Sequence, residues 1–217
     1  MDEVPGGLRP PTNPADAAGM FARLTPEQAG AVAAAMAQNN AASNHWAVGL
    51  LGVAPGDRVL EVGSGPGMGI ELLAERAEGG VVVGIALSPA MVDLARARIA
   101  DLASRGRAQV HVAAAERLPF ADGSFAKALA VHVAQFWPAP EPALTEVRRV
   151  LADGGTLVLA TRAHRADPDA PMAARLGWTP AQVEAMADRM RAAGFRSVGT
   201  TVARVGEEEL VALIGTR

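Results

Sequence analysis

The residues best placed to do chemistry are one acid and three glycines at alternate positions, Glu61-x-Gly63-x-Gly65-x-Gly67. Glycines cost chain entropy, so a run of them implies a left-handed turn or a ligand lying close to the main chain. The acid stands two residues before the first glycine. A dinucleotide fingerprint, G-x-G-x-x-G, does not fit. Counting from Gly63 puts Met68 in its last position, and counting from Gly65 puts Ile70 there. The chain's four histidines are the other candidates for proton transfer. His111 lies inside a strand-like stretch and reads as structural. His132 closes an apolar run and is followed by Gln135 and Trp137, and His164 falls in a loop. His45 sits with Asn40 and Asn44 between two helical stretches, where such residues also serve as polar caps. The histidines are scattered and no carboxylates cluster with them, so no metal site is expected.

Regular elements must hold these groups. Val59, Leu60 and Val62 form a short apolar run that reads as a buried parallel strand. After the glycine turn, Ile70, Leu73, Ala74 and Ala77 share one face, with Glu71, Glu75 and Arg76 on the other, which predicts a helix. The strand, turn and helix together should aim backbone N–H groups and a helix N-terminus at a polar or anionic ligand. Further strands are expected at Val81–Ile85, Gln109–Ala113, Lys127–Val133 and Thr156–Thr161. Helices follow Ser88-Pro89 and Thr179-Pro180, and another carries Leu144, Val147 and Leu151 on its inner stripe. Upstream, Thr25-Pro26 opens a helix to about Gln38, Asn39-Asn40 breaks it, and a second helix covers about Asn44–Leu51. Residues 1–19 carry no period and read as a disordered arm, and Arg162–Trp178 reads as a loop. Strands alternating with helices imply a parallel sheet with right-handed crossovers. Ser197–Val205 and Leu210–Gly215 lie only a few polar residues apart and should close the chain as an antiparallel hairpin.

Composition narrows the classes. A length of 217 residues suits one domain. Aromatics make up only 4% and Tyr is absent, so the core must be aliphatic. A net charge of −3 argues against a nucleic-acid binder, which needs a clustered basic surface. Without Cys there is no disulfide framework, thiolate metal site or cysteine nucleophile. No apolar run approaches a membrane span and no signal-peptide pattern opens the chain, so a soluble cytoplasmic protein, monomer or homodimer, is the expectation.

The Glu61–Gly67 motif resembles the first motif of the class I S-adenosylmethionine-dependent methyltransferases. The resemblance continues through Gly84-Ile85…Ser88-Pro89-x-Met91-Val92, Ala115-Glu116-x-Leu118-Pro119-Phe120 and Leu144…Glu146-Val147…Arg149-Val150-Leu151…Gly154-Gly155. It implies an α/β, Rossmann-like fold: a seven-stranded, mostly parallel sheet with a C-terminal antiparallel hairpin and helices on both faces. Residues 1–53 would form an N-terminal arm and lid helices, and residues 54–217 a single methyltransferase-like domain. The implied cofactor is S-adenosylmethionine and the implied partner a small-molecule acceptor. By position in the motifs, the cofactor-binding residues would be Glu61, Gly63, Ser64, Gly65, Gly67, Ala86, Leu87, Met91, Ala114, Ala115, Glu116 and Val131. His132 would be the candidate base beside the transferred methyl, and Asn40, His45, Gln135, Trp137 and His164 would line the acceptor site.

The sequence departs from the family at three places. Ala86 stands where a strand-end acid usually grips the ribose hydroxyls, Ala114 where an Asp usually meets the adenine amino group, and Ala126 where an Asp usually precedes the fourth strand. Two readings follow. In one, the site compensates and methyl transfer persists. In the other, the protein is an inactive or repurposed binding module with an altered pocket.

Overall fold

The computed structural model describes residues 7, 8, 11, 14–167, 170 and 172–217. Its sheet has seven strands: β1 (Arg58–Val62), β2 (Val81–Ala86), β3 (Ala108–Val112), β4 (Phe125–Val131), β5 (Leu151–Arg162), β6 (Arg196–Val205) and β7 (Glu208–Thr216). Their order is β3-β2-β1-β4-β5-β7-β6. The first five are parallel, while β7 runs antiparallel between β5 and β6. The expected closing hairpin is therefore present, and its second strand is inserted in the sheet.

The sheet is apolar on both faces because its strands alternate between two cores. Leu60, Val83, Leu157 and Leu159 pack on one side with α7 (Pro140–Val150) and α9 (Pro180–Ala192). Val59, Val82, Leu129 and Val158 pack on the other with α3 (Ala41–Leu51), α4 (Met68–Arg76) and α5 (Pro89–Arg98). Full burial on both faces explains why these strands read as continuous apolar runs. Thr179 caps α9 and Ser88 caps α5 through side-chain bonds to the helix N–H groups, as their Ser/Thr-Pro sequences predict. Thr25 caps α2 (Pro26–Asn39) with Gln28 closing a capping box.

Three expectations need correction. Part of the supposed disordered arm is helical: α1 spans Pro14–Ala22 and buries Ala17 completely. Alanine-rich sequence hid it, because Ala marks neither an inner nor an outer face. Residues 1–6, 9–10 and 12–13 of that arm lie outside the described residues. The segment from Arg162 to Trp178 is likewise not all loop. Arg162 is the last residue of β5, and Met172–Arg175 form a short helix, α8. Leu151, expected on the inner stripe of α7, is instead its C-cap in extended conformation and the first residue of β5.

The sheet order reverses between β1 and β4, whose successors cross to opposite sides. Such a switch point leaves a crevice beyond the carboxyl ends of the two strands. Glu61 lies on β1 between Gly84 of β2 and Leu129 of β4, which puts it at that crevice.

Candidate cofactor and acceptor site

A cavity of about 510 Å³ opens at the switch point, within the usual range for a small-molecule site. Its floor is the turn after β1, where Gly63, Gly65 and Gly67 have φ of 74°, 51° and 88°. L side chains rarely adopt these values, which is the physical reason for the glycine run. Each glycine also solves a different packing problem. A Cβ on Gly63 would stand 2.4 Å from Val133 of the β4 exit, and one on Gly67 would stand 3.2 Å from Ala95 of α5. One on Gly65 would point toward the cavity, with only Met36 Sδ nearby at 3.7 Å. The N–H groups of Gly63 and Ser64 are not bare, as both donate to the carbonyl of Ile85 at 2.8 and 2.9 Å. The turn is thereby tied to β2. Amides for a ligand come instead from the first turn of α4, which has no intrahelical acceptors.

Glu61 is only 4% exposed, and its Oε2 has no hydrogen-bond partner among the described residues. Its carboxyl group lies against Gly69 of α4, where any Cβ would stand 1.9 Å from Oε1. Burial pushes its pKa up to about 8, because a desolvated carboxylate without a cation is unfavourable. A buried, unpaired acid in a cavity wall is a site for a cationic group. The ammonium of S-adenosylmethionine fits it. The glycine floor leaves room for the methionine chain, and Ala86, Leu87, Met91, Ala115 and Glu116 form the wall beyond.

Arg162 is the feature that sequence reasoning missed. At 4% exposure it ends β5 inside the cavity wall. Its Nε donates to Glu208 Oε1 at 2.6 Å, and its Nη2 donates to Asn39 O at 2.6 Å and Asn40 Oδ1 at 3.1 Å. Its Nη1 lies 3.2 Å from His132 Nε2. One guanidinium thus fastens the α2–α3 junction to the sheet. The signals were a charge closing the apolar run Leu157–Ala160, and the Asn39-Asn40 pair taken for a simple helix break.

His132 takes its geometry from the same network. It follows β4 with φ of 55°, and its Nε2 lies 2.8 Å from Ser43 Oγ. Arginine can only donate, so Nε2 accepts from Arg162 and the proton of the neutral ring sits on Nδ1, toward Thr161 Oγ1 at 3.4 Å. Burial, reinforced by the Arg162 charge, lowers the pKa of His132 to about 3. It lines the cavity with its one lone pair already taken, an arrangement that disfavours the role of base expected for it.

The remaining expected residues divide cleanly. Glu61, Gly63, Ser64, Gly65, Ala86, Leu87, Met91, Ala115, Glu116 and Val131 come together on the cavity, with Asn40, Gln135 and Trp137. Gly67 and Ala114 do not line it, Gly67 because it serves the α4–α5 contact. His45 also lies away from it. It is exposed, and its Nδ1 lies 2.8 Å from Ala41 O within its own helix. His164 is exposed as well, with Nδ1 2.8 Å from Arg175 O. Helix periodicity turns His45 outward, and the α8 carbonyl holds His164 outside the cavity. Ala126 lies at the opposite end of β4 and can touch nothing bound here. The cavity's opposite wall comes from Ala18, Met20 and Phe21 of α1 and Val32, Ala35 and Met36 of α2.

Comparison with known proteins agrees with this geometry. Residues 60–159 match the family model described as a methyltransferase domain. A ubiquinone/menaquinone biosynthesis C-methyltransferase of Geobacter sp. (strain M21) is 34% identical over 52% of this chain, which spans about half (49%) of that relative's length. An uncharacterized methyltransferase of Bacillus subtilis (strain 168) is 26% identical over 75% of this chain and 84% of its own. Among solved structures, a SAM dependent methyltransferase from Aquifex aeolicus superposes with a TM-score of 0.73 over 89% of this chain and 98% of its own, at 18% identity. The fold is the Rossmann-like class I methyltransferase fold, and residues 60–159 are similar to a methyltransferase domain.

Proposed function

We propose that this protein transfers a methyl group from S-adenosylmethionine to a small, largely apolar organic molecule. The observation that carries the reading is Glu61, a buried acid without a partner at the glycine floor of an otherwise apolar cavity. When bound, the cofactor supplies an electrophilic methyl on a sulfonium. The chain's own residues bind and orient. Glu61 takes the ammonium, Gly65 allows close approach of the ligand to the backbone, and Leu87, Met91 and Ala115 provide an apolar wall for the adenosine. Glu116 is the acid closest in sequence to the position of Ala114, so it is placed to meet the polar edge of the base. With Ala at 86 and 114, the ribose and adenine lack the usual carboxylate contacts, each worth roughly 1.5–3 kcal/mol. Binding should therefore be weak for the family, and it should depend on the roof formed by α1 and α2.

In-line displacement needs alignment above all, since holding the two reactants at attack distance can supply most of the acceleration. The cavity's size favours a small molecule over a polymer, and the acidic net charge disfavours nucleic acid. Among the described residues no helix is long and apolar enough to cross a membrane. We take residues 1–53 to be the lid and arm over one catalytic domain, in a soluble cytoplasmic monomer or homodimer.

The test is incubation with methyl-labelled S-adenosylmethionine and a panel of small acceptors. Label should appear in product with the parent protein and not with Gly65→Leu. If neither S-adenosylmethionine nor S-adenosylhomocysteine binds at millimolar concentration, the methyl-transfer reading fails and the binding-module reading takes its place.

A further inference from the structure

Among the described residues, only four titratable side chains line the cavity: Glu61, Glu116, His132 and Arg162. None can take a proton from an acceptor at the methyl end. Glu61 lies beneath the glycine turn and is committed to the ammonium in the proposed reading. Glu116 lies after β3, at the far end where the adenosine would lie. His132 Nε2 already accepts from Arg162 at 3.2 Å and faces Ser43 at 2.8 Å, and Arg162 is a permanent cation that only donates.

The wall that follows β4 carries a second unanswered group. Gln135 sits in the 3-10 turn Ala134–Phe136, next to Val133, whose side chain abuts the glycine floor. Its Oε1 is buried without a hydrogen-bond partner among the described residues. Buried carbonyl oxygens are normally satisfied. This one asks for a donor from whatever occupies the cavity, and it would repel an oxyanion placed beside it. Met20, Phe21, Phe136 and Trp137 line the same cavity and give it largely apolar surface, with the Phe21 and Phe136 rings 5.7 Å apart.

We infer that the acceptor is an uncharged amine nitrogen carried on an apolar or aromatic body, with Gln135 Oε1 receiving its N–H. The inference rests on the methyl-transfer reading above. An amine attacks through its lone pair without first losing a proton, so a cavity with no base suffices. The lone pair forms the N–C bond as the methyl's bond to sulfur breaks, and sulfur keeps that electron pair. The positive charge passes to nitrogen, and the ammonium product yields its proton to water after it departs. A hydroxyl acceptor would instead need a base, whose absence costs a factor of about 10²–10⁴. The fixed Arg162 cation also disfavours entry of an already protonated amine.

The test uses 4-ethylaniline and 4-ethylphenol, which share a shape and differ in NH₂ against OH. Binding of each to the S-adenosylhomocysteine complex and label transfer from S-adenosylmethionine are both measured at pH 7.5. The aniline should bind and be methylated on nitrogen, with kcat/KM at least about 10²-fold above the phenol. In Gln135→Leu its affinity and kcat/KM should both fall roughly five- to tenfold, while S-adenosylhomocysteine binds as before. Equal use of the two, preference for the phenol, use of neither, or an unchanged Gln135→Leu overturns the inference. Failure of S-adenosylhomocysteine to bind is a separate result that removes the cofactor reading and this inference together.

Discussion

Cofactor affinity should carry the signature of Glu61. Burial holds this carboxyl at a pKa of about 8 in the free protein, so near pH 7 about nine-tenths of molecules carry it as the neutral acid. Pairing with an ammonium requires the carboxylate. Ionising it costs about 1.4 kcal/mol for each pH unit below 8, hence about 1.4 kcal/mol at pH 7 and about 2.7 kcal/mol at pH 6. The ligand's α-amino group, with a pKa of roughly 7.7–8.0, stays charged over that range. Affinity for S-adenosylhomocysteine should therefore rise about tenfold between pH 6 and pH 7, with close to one proton released. Above roughly pH 8 the ligand loses its own proton and the gain stops. Calorimetry in two buffers of different ionisation enthalpy counts the protons directly. Glu61→Gln should bind weakly, with neither slope nor proton release.

Stability of the ligand-free protein should move in the opposite sense to affinity. A group whose pKa rises from 4.5 to about 8 on folding holds more protons folded than unfolded between those values. Stability therefore falls as pH rises from about 4.5 to about 8, by up to roughly 4–5 kcal/mol in total. Glu61→Gln should remove that fall and melt higher than the parent at pH 8. Affinity that is flat from pH 6 to 7.5, or a slope that survives in Glu61→Gln, would refute the assignment of Glu61 to the ammonium.

Substitutions at three other positions probe the same architecture. Gly65→Leu places a side chain at a φ of 51° and into the cavity, so calorimetric binding should vanish while circular dichroism keeps the parent spectrum. Ala86→Asp should restore a carboxylate at the ribose and tighten S-adenosylhomocysteine about 10–100-fold by titration, the equivalent of roughly 1.5–3 kcal/mol. Arg162→Met leaves Glu208 and the Asn39 carbonyl without their donor, and urea unfolding should show a loss of about 3–5 kcal/mol. Arg162→Lys should recover little of it, because a point charge cannot reach four partners arranged around a planar fork.

The parts of this protein that follow from local rules were legible in its sequence. Strand runs such as Val81–Ile85, the Ser88-Pro89 and Thr179-Pro180 caps and the closing hairpin all stand where pattern placed them. So does the glycine turn, because left-handed backbone admits few other residues. What was hidden depends on contacts distant in sequence. No period in the alanine-rich first helix announced that Ala18 and Phe21 would wall the cavity, since Ala fits either face. Nothing local marks Arg162 as structural, because its partners, Asn39, Asn40, His132 and Glu208, come from three other parts of the chain. His132 was correctly placed at the cavity by its strand. Its poor basicity follows from burial first and then from the charge of Arg162, which no local pattern connects to it.

The roof over the cavity is held differently from the sheet beneath it. Helices α1 and α2 rest on a small separate cluster, Leu24, Ala29 and Val32 with Met91 of α5, and on the ring contact between Phe21 and Phe136. Met91 and Phe136 are also cavity walls, so the surface that stabilises the roof is the surface a ligand covers. Few contacts make local opening cheaper than global unfolding. The amides of α1 and α2 should therefore exchange with solvent deuterium well before those of β1 and β4, and filling the cavity should slow them. Ligand residence time should then be set by how often α1 and α2 open, read out by the clock of hydrogen exchange.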